Sequence, residues 1–365
     1  MWRIREVQTR KRTLVITTAV LIVISQFCAC SSLTQSPAAD YKDVVLNVIN
    51  YQEYIDPEML TEFTNETGII VKYNEFETPE DMYEEYTSSG ESYDLICTSD
   101  YMVRKLIEDG DAIELNYSDM PNYKNIDPRF VKLSDSFDPG NKCSLPYFWG
   151  TVGILYNKTK VKGPVDSWDV LFNGDYKGQI IMQDSMRDSF MVALKYLGYS
   201  MNSKDINEIT AAAELLKKQK SDVKDYMVDE ARDEVASGEA AMAVVYSGEA
   251  YLGNLYNHDL EYVVPKEGSN LWIDSWIITK KCQHPEAARV FLDFLCRKDV
   301  AYSNFEYIFY STPNKAVIKS MDKEHRNNPA IVLPDEALNG CEIYETFDEN
   351  TSGIYSRLWD EIKAE

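Results

Sequence analysis

Apolar residues in this chain recur at two spacings, and the alternation between them lays out the elements. VVLNVINY (44–51) reads as a strand from its β-branched apolar content. Asp56-Pro57 then marks a helix start, Met59, Leu60 and Phe63 share one helical face, and Gly68 marks the end. IIVKY (69–73) predicts the next strand, Pro79 opens another helix, and YDLICTS (93–99) is a strand. Asp100 is expected to cap a third helix carrying Val103, Leu106 and Ile107. A β-α-β-α-β run of this kind predicts a parallel sheet.

The alternation returns further along. GQIIMQ (178–183) predicts a strand, DSMRD (184–188) a turn, and the following helix stops at Gly198. AAMAVVY (240–246) predicts a strand running into a turn at Ser247-Gly248. In LWIDSWIIT (271–279), Trp272, Asp274 and Trp276 fall on one strand face by period two. A helix started by Pro285 buries Ala288, Phe291, Leu292 and Leu295. No repeat interrupts this pattern, so the fold class is α/β, and the length is enough for two lobes.

The first 29 residues break the pattern. Arg3, Arg5, Arg10, Lys11 and Arg12 precede an apolar run from Thr13 to Phe27, short for a membrane span of about 20 residues, which reads as a secretory signal. Cys30, behind Ala29, stands where a bacterial lipoprotein signal is cut and acylated. SSLTQSPAADYK (31–42) completes a polar tether, so 30–42 is expected to link a lipid anchor to a fold starting near Asp43. The alternative, an uncleaved anchor, also leaves the bulk of the chain outside the cytoplasm.

Charge sharpens the picture. The formal net charge is -23, and removal of residues 1–29, with five basic side chains and one acidic, takes it to -27. Such a field repels nucleic acid and concentrates cations. With Cys30 acylated, Cys97, Cys143, Cys282, Cys296 and Cys341 remain, an odd number that cannot all pair. Cys282 and Cys296 flank a predicted helix roughly 18 Å long and cannot bridge. There is no CxxC and only His258, His284 and His325, so neither a metal site nor a cofactor is expected.

In open α/β sheets, ligands sit beyond the carboxyl ends of the strands. The residues there are NYQEY (50–54), TSDY (98–101), DSMRD, YSGE (246–249) and, within its strand, WIDSW (272–276), a mixture of aromatic rings and carboxylates. A ring attracts an ammonium by about 0.5–2 kcal/mol. A carboxylate bond to it adds about 1.5–3 kcal/mol. Several such contacts reach about -8 kcal/mol, micromolar affinity, for a linear polycation. Structural roles compete: Asp56, Asp100 and Asp188 also suit helix starts. A carboxylate between two indoles, as at Asp274, is costly unless wet or paired.

At these residues the sequence resembles the spermidine/putrescine-binding proteins of polyamine ABC importers. The likeness runs in order through NYQEY, YDLICTSDYMV, SLPYFWGTVGILYN (144–157), SWDVLF, DSMRDSFMVALKYLGYS, VVPKEGSNLWIDSW and YSTPN (310–314). It implies a two-lobed periplasmic-binding-protein fold with hinge crossovers, each lobe a mixed, mostly parallel sheet flanked by helices. Residues 43–151 and about 273–319 would form one lobe, about 152–272 and 320–365 the other. It also implies a polyamine ligand, a membrane permease as partner, a monomer, and no catalysis.

Carried over motif by motif, the implied polyamine contacts are Tyr51, Gln52, Glu53, Tyr54, Ser99, Tyr101, Ser185, Asp188, Tyr246, Trp272, Asp274, Tyr310 and Glu345. Tyr51 and Tyr246 stand where well-known members have tryptophan, and Ser185 where some have aspartate. These departures bear on the choice among putrescine, spermidine and spermine. Rival readings are a binding protein for an amino acid, a sugar or ferric iron, with Arg187 as the amino-acid clamp, and an extracellular hydrolase. The hydrolase has no GxSxG or HExxH in its favour.

Overall fold

The computed structural model describes residues 41 to 364 apart from 42 and 339. The expected signal segment 1–29, Cys30 and all but residue 41 of the expected tether lie outside the described residues. Strands β1 (Val45–Tyr51), β2 (Ile70–Phe76) and β3 (Leu95–Thr98) alternate with helices α1 (Pro57–Thr67) and α2 (Pro79–Ser88), and α3 (Asp100–Glu108) follows. Local chemistry fixes these limits. The Asp56 carboxylate accepts from the Glu58 N–H, Pro57 occupies a position that needs no donor, and Gly68 closes α1 at φ 78°.

At α3 the structure corrects the expected cap. Ser99 is the N-cap residue and its side chain makes no cap bond. Asp100 is the first helical residue, and its carboxylate turns inward.

Helix α4 (Pro128–Ser134) leads to β4 (Ser144–Asn157) and β5 (Ile180–Gln183). Then come α5 (Met186–Tyr196), α6 (Ile206–Gln219), β6 (Val223–Met227), α7 (Glu230–Ser237) and β7 (Met242–Tyr246). Ser247-Gly248 is not a free turn; it opens α8 (Ser247–Tyr256) directly from β7. Next are β8 (Leu260–Val263), β9 (Leu271–Ile278), α9 (Pro285–Leu295) and α10 (Lys298–Ile308). The short α11 (Lys315–Ser320), α12 (Lys323–Arg326) and α13 (Asp335–Leu338) precede the last helix, α14 (Glu349–Ala364).

The sheet order is β2-β1-β3-β9-β4-β7-β5-β6, with β8 also on β4. β2-β1-β3 and β7-β5-β6 are parallel groups, while β9 and β4 between them run antiparallel to each other and to their outer neighbours. β4 changes partner along its length. Up to Thr151 it pairs with β9; from Val152 it pairs with β7, and from Ile154 also with β8.

Where the ladders change over, hydroxyls bond three main-chain groups, and the Val152 N–H donates to Asn270 O at 3.3 Å. Thr151 N–H donates to Ser247 Oγ at 3.3 Å, Thr151 O accepts from Tyr262 Oη at 3.0 Å, and Val152 O accepts from Ser269 Oγ at 2.6 Å. Gly150 and Gly153 flank this point. A Cβ at Gly150 would lie 2.3 Å from the Trp272 ring, and one at Gly153 2.5 Å from Val263 O.

Three apolar cores hold the layers. Phe63, Trp276, Phe291 and Leu145 pack on one face of the β1-β3-β9 side, beneath α1 and α9. Ile154, Ile180, Phe190, Leu216 and Tyr355 do the same at β4, β5 and β7, beneath α5, α6 and α14. The third core runs from Ile49 and Ile96 through Ile273 and Leu155 to Val245.

Candidate functional site

Two stations of aromatic rings and carboxylates form where β1, β3, β5 and β7 end and β9 crosses. The first is built on β1 and β9. Tyr54 donates its hydroxyl to Asp274 Oδ2 at 2.7 Å. Its ring meets Tyr51 at 5.3 Å, Phe148 at 5.5 Å and Tyr310 at 6.2 Å between centroids, and Trp272 stands edge-on to Tyr310 at 5.1 Å. These rings leave Asp274 8 % exposed. Asp100, 3 % exposed, faces the same strand, with Oδ2 accepting from Ile273 N–H at 3.2 Å and Oδ1 from Tyr101 N–H at 2.7 Å.

The second station is built on α5, β7 and the segment before α14. Asp188 accepts from the Tyr246 hydroxyl at 2.8 Å and from the Tyr344 hydroxyl at 2.7 Å, one on each oxygen. Ser185 caps α5 by accepting from the Asp188 N–H at 3.3 Å, which sets the first turn that aims Asp188. Tyr310 joins the stations. A Cβ on Gly248, two residues past Tyr246, would lie 2.3 Å from its ring.

The other expected residues occupy different ground. The Ser99 hydroxyl is buried beside the first station without a hydrogen-bond partner. Tyr101 donates to Glu80 at 3.0 Å. Gln52 and Glu53 are exposed at the rim, Glu53 at φ 52°. Glu345 is not brought in: its carboxylate faces Lys204 at 3.7 Å, and its neighbour Tyr344 reaches Asp188 instead. Trp276 shares the face of Trp272 and Asp274 but is fully buried, at 5.5 Å from Tyr147 and 5.8 Å from Phe291, so it packs the core. Arg187 is not free to clamp a carboxylate. It lies over the rings of Tyr344 at 4.3 Å and Phe347 at 3.8 Å and bonds Glu345 O and Asn202 Oδ1.

Sequence patterns gave no signal for Tyr344, which sits between elements. Gln183 was equally silent: it ends β5, is 1 % exposed, and has no partner for either end of its amide. Among the described residues, no group of three or more histidine, cysteine or acidic side chains gathers as a metal cage. The five described cysteines are all free thiols.

Burial pushes Asp274 up to about 7, partly opposed by the Tyr54 hydroxyl. Burial does the same to Asp100, to about 7, against the N–H bonds of Ile273 and Tyr101, and the charge of Asp274 adds to it. Unfolded aspartate titrates near ~3.9. The empty folded protein therefore holds protons that the unfolded chain has released. This contribution to stability is complete below about pH 4 and is lost as pH rises through about 7. Thermal melts of ligand-free protein should show the wild type losing stability relative to Asp274→Asn between pH 5 and 8, by an amount on the order of a few kcal/mol. A parallel pH dependence in the two proteins would count against the burial argument.

Comparison with known proteins places this geometry. Residues 58–332 match the family model described as bacterial extracellular solute-binding protein. The spermidine/putrescine-binding periplasmic protein of Salmonella typhimurium is 34% identical over 335 residues, covering 91% of this chain and 95% of that protein. A putrescine-binding periplasmic protein of Pseudomonas aeruginosa is 30% identical, covering 90% and 93%. Among solved structures, the spermidine/putrescine ABC transporter substrate-binding protein of Streptococcus pneumoniae superposes with a TM-score of 0.81 at 38% identity, covering 88% of this chain and 99% of that one.

Proposed function

This chain belongs to the bacterial extracellular solute-binding protein family, and on that premise we propose that it captures a linear polyamine outside the cytoplasm and delivers it to the permease of an ABC importer. Its fold is the α/β periplasmic-binding-protein fold that the resemblance implied. The observation that carries the polyamine reading is the pairing of two buried carboxylates with aromatic walls, Asp274 with Tyr54 and Asp188 with Tyr246 and Tyr344. Among the described residues no lysine, arginine or histidine forms an ion pair with either. Buried carboxylates with no ion-pair partner, bounded by π faces, suit a ligand that carries ammonium groups at more than one place.

The change of partner along β4 at Thr151–Val152 supports a division into lobes of residues 43–151 with 273–319 and 152–272 with 320–365. Asp274 and Asp188 then lie on different lobes, and a ligand touching both has the differential affinity that closure requires. The likeness to relatives of the polyamine class supports Tyr51, Gln52, Glu53, Ser99, Tyr101, Ser185, Trp272 and Tyr310 as further contacts, and the structure adds Tyr344. The basic and apolar first 29 residues support export, with Cys30 as the lipid attachment point.

Titration calorimetry of the ligand-stripped domain with putrescine, spermidine, spermine and arginine tests the reading. Saturable micromolar or tighter binding of at least one polyamine, and none of arginine, is expected. No saturable binding to any polyamine rejects it.

A further inference from the structure

Asp100 and Asp274 sit one residue apart in their grip on β9: Asp100 Oδ2 takes the N–H of Ile273, and Asp274 is the next residue along. Both are nine-tenths or more buried. The surrounding groups give little compensation. On β1 and just beyond it, Tyr51 and Tyr54 are phenols, and only Tyr54 donates to the pair. On α3, Arg104 bonds the carbonyl of Ser136 and forms no ion pair with Asp100, though its charge favours the Asp100 anion against the larger effect of burial, and Tyr101 directs its hydroxyl to Glu80 of α2. Tyr310 and Trp272 supply ring edges. Cys97, at the end of β3, is a buried thiol. Among the described residues no cationic side chain forms an ion pair with either carboxylate.

Asp100 lies on the N–H of Ile273 and Asp274 is the next residue, so two buried carboxylates meet the same stretch of β9, and keeping both ionised without a cation is costly because desolvation and repulsion act in the same direction. When the cleft is empty, a proton is the cation at hand. When a ligand enters, its ammonium is.

We propose that Asp100 is a second carboxylate of the ammonium site, that it shares one proton with Asp274 when the cleft is empty, and that ligand capture releases this proton to solvent. The inference rests on the polyamine reading. Its balance is simple: one proton leaves the carboxylate pair as one ammonium group arrives, and no bond to carbon forms or breaks. The raised titration of both groups agrees with it. The charge of Asp274 raises Asp100, so the released proton is assigned to the pair and not to either residue alone. Affinity should therefore climb with pH up to the neutral range and then level off.

Calorimetry of spermidine binding at pH 6.5 in two buffers of different ionisation enthalpy counts the protons. The wild type is expected to release more than half a proton per ligand at pH 6.5 and close to none at pH 8.5, with affinity rising about three- to tenfold between them. Asp100→Asn keeps an oxygen for the Ile273 N–H. It is expected to weaken binding up to tenfold and to cut proton release at least by half. Asp100→Asn releasing as many protons as the wild type, or a wild type releasing fewer than about 0.2, overturns the proposal. Carbon-13 carboxylate NMR of the ligand-free wild type reads the same proton without any ligand. Two aspartates titrating together near neutrality support the proposal, and all aspartates titrating below pH 5 overturn it. A protein that shows the coupled titration but binds no spermidine rejects the polyamine reading and leaves the shared proton standing.

Discussion

Asp274→Ala is expected to lower spermidine affinity by roughly 30-fold to a few thousand-fold, about 2–5 kcal/mol, the cost of truncating one side of a buried, hydrogen-bonded charge pair. The size follows from burial. Asp274 is screened by Tyr54, Tyr310 and Trp272, so its attraction for an ammonium acts in a low dielectric. Glu53 provides the contrast. Its side chain is at the exposed rim, and an exposed ion pair contributes about 0–1 kcal/mol, so Glu53→Ala should cost no more than about fivefold. Tyr54→Phe removes one hydroxyl from Asp274 and should fall between them. Calorimetric titration of the three variants decides the order. An Asp274→Ala protein binding spermidine as the wild type does would refute its role.

The two tryptophans of β9 should separate stability from binding. Trp276 is fully buried among Tyr147, Phe291 and the rest of its core, and Trp276→Ala is expected to cost about 3–5 kcal/mol in urea unfolding. Trp272 is only partly buried and stands against Tyr310, so Trp272→Ala should cost less stability and more affinity, about tenfold or more from the lost ring face. Denaturant midpoints and spermidine titrations on both variants test the split. Two variants that lose stability and affinity in equal proportion would show that position on a shared strand face does not distinguish core from site.

That contrast also marks how far the sequence could be read. Period two correctly put Trp272, Asp274 and Trp276 on one face, but it does not say where along that face the cleft ends and α9 begins to cover it. The parallel β1-α1-β2-α2-β3 run was legible because caps and turn residues act locally: Asp56, Pro57 and Gly68 each do in the structure what their chemistry predicts. β4 was not legible as an element, because it is buried along nearly its whole length and so lacks alternation. β6 was missed for the opposite reason: VKDYM is a polar edge strand.

Among the candidate site residues, those that the structure brings together, Tyr54 with Asp274 and Tyr246 with Asp188, had been read from strand ends and their flanks. Tyr344 was not, because it arrives from a loop that only the tertiary fold brings to Asp188. Asp100 was read as a cap, because the preference of a first helical turn for acid is the same whether the carboxylate points to solvent or inward.

The exchange of partners in the middle of β4 has a mechanical meaning. Ladder bonds on either side hold the strand stiff, like the clamped ends of a leaf spring, while at the changeover, Thr151 and Val152, hydroxyls of Ser247, Tyr262 and Ser269 hold three main-chain groups and the Asn270 carbonyl takes the Val152 N–H. A hydroxyl can swivel and keep its bond through a twist of several degrees, whereas a strand partner must follow the twist or let go. On the proposed division into lobes, torsion along the strand would concentrate there. The flanking Gly150 and Gly153 leave no side chain in the way, and the space that one would need is already filled, by the Trp272 indole at the first and by the Val263 carbonyl and the Tyr262 ring at the second. The spring is thus set to one thickness, and adding even a methyl group to it would shift the aromatic wall of the cleft.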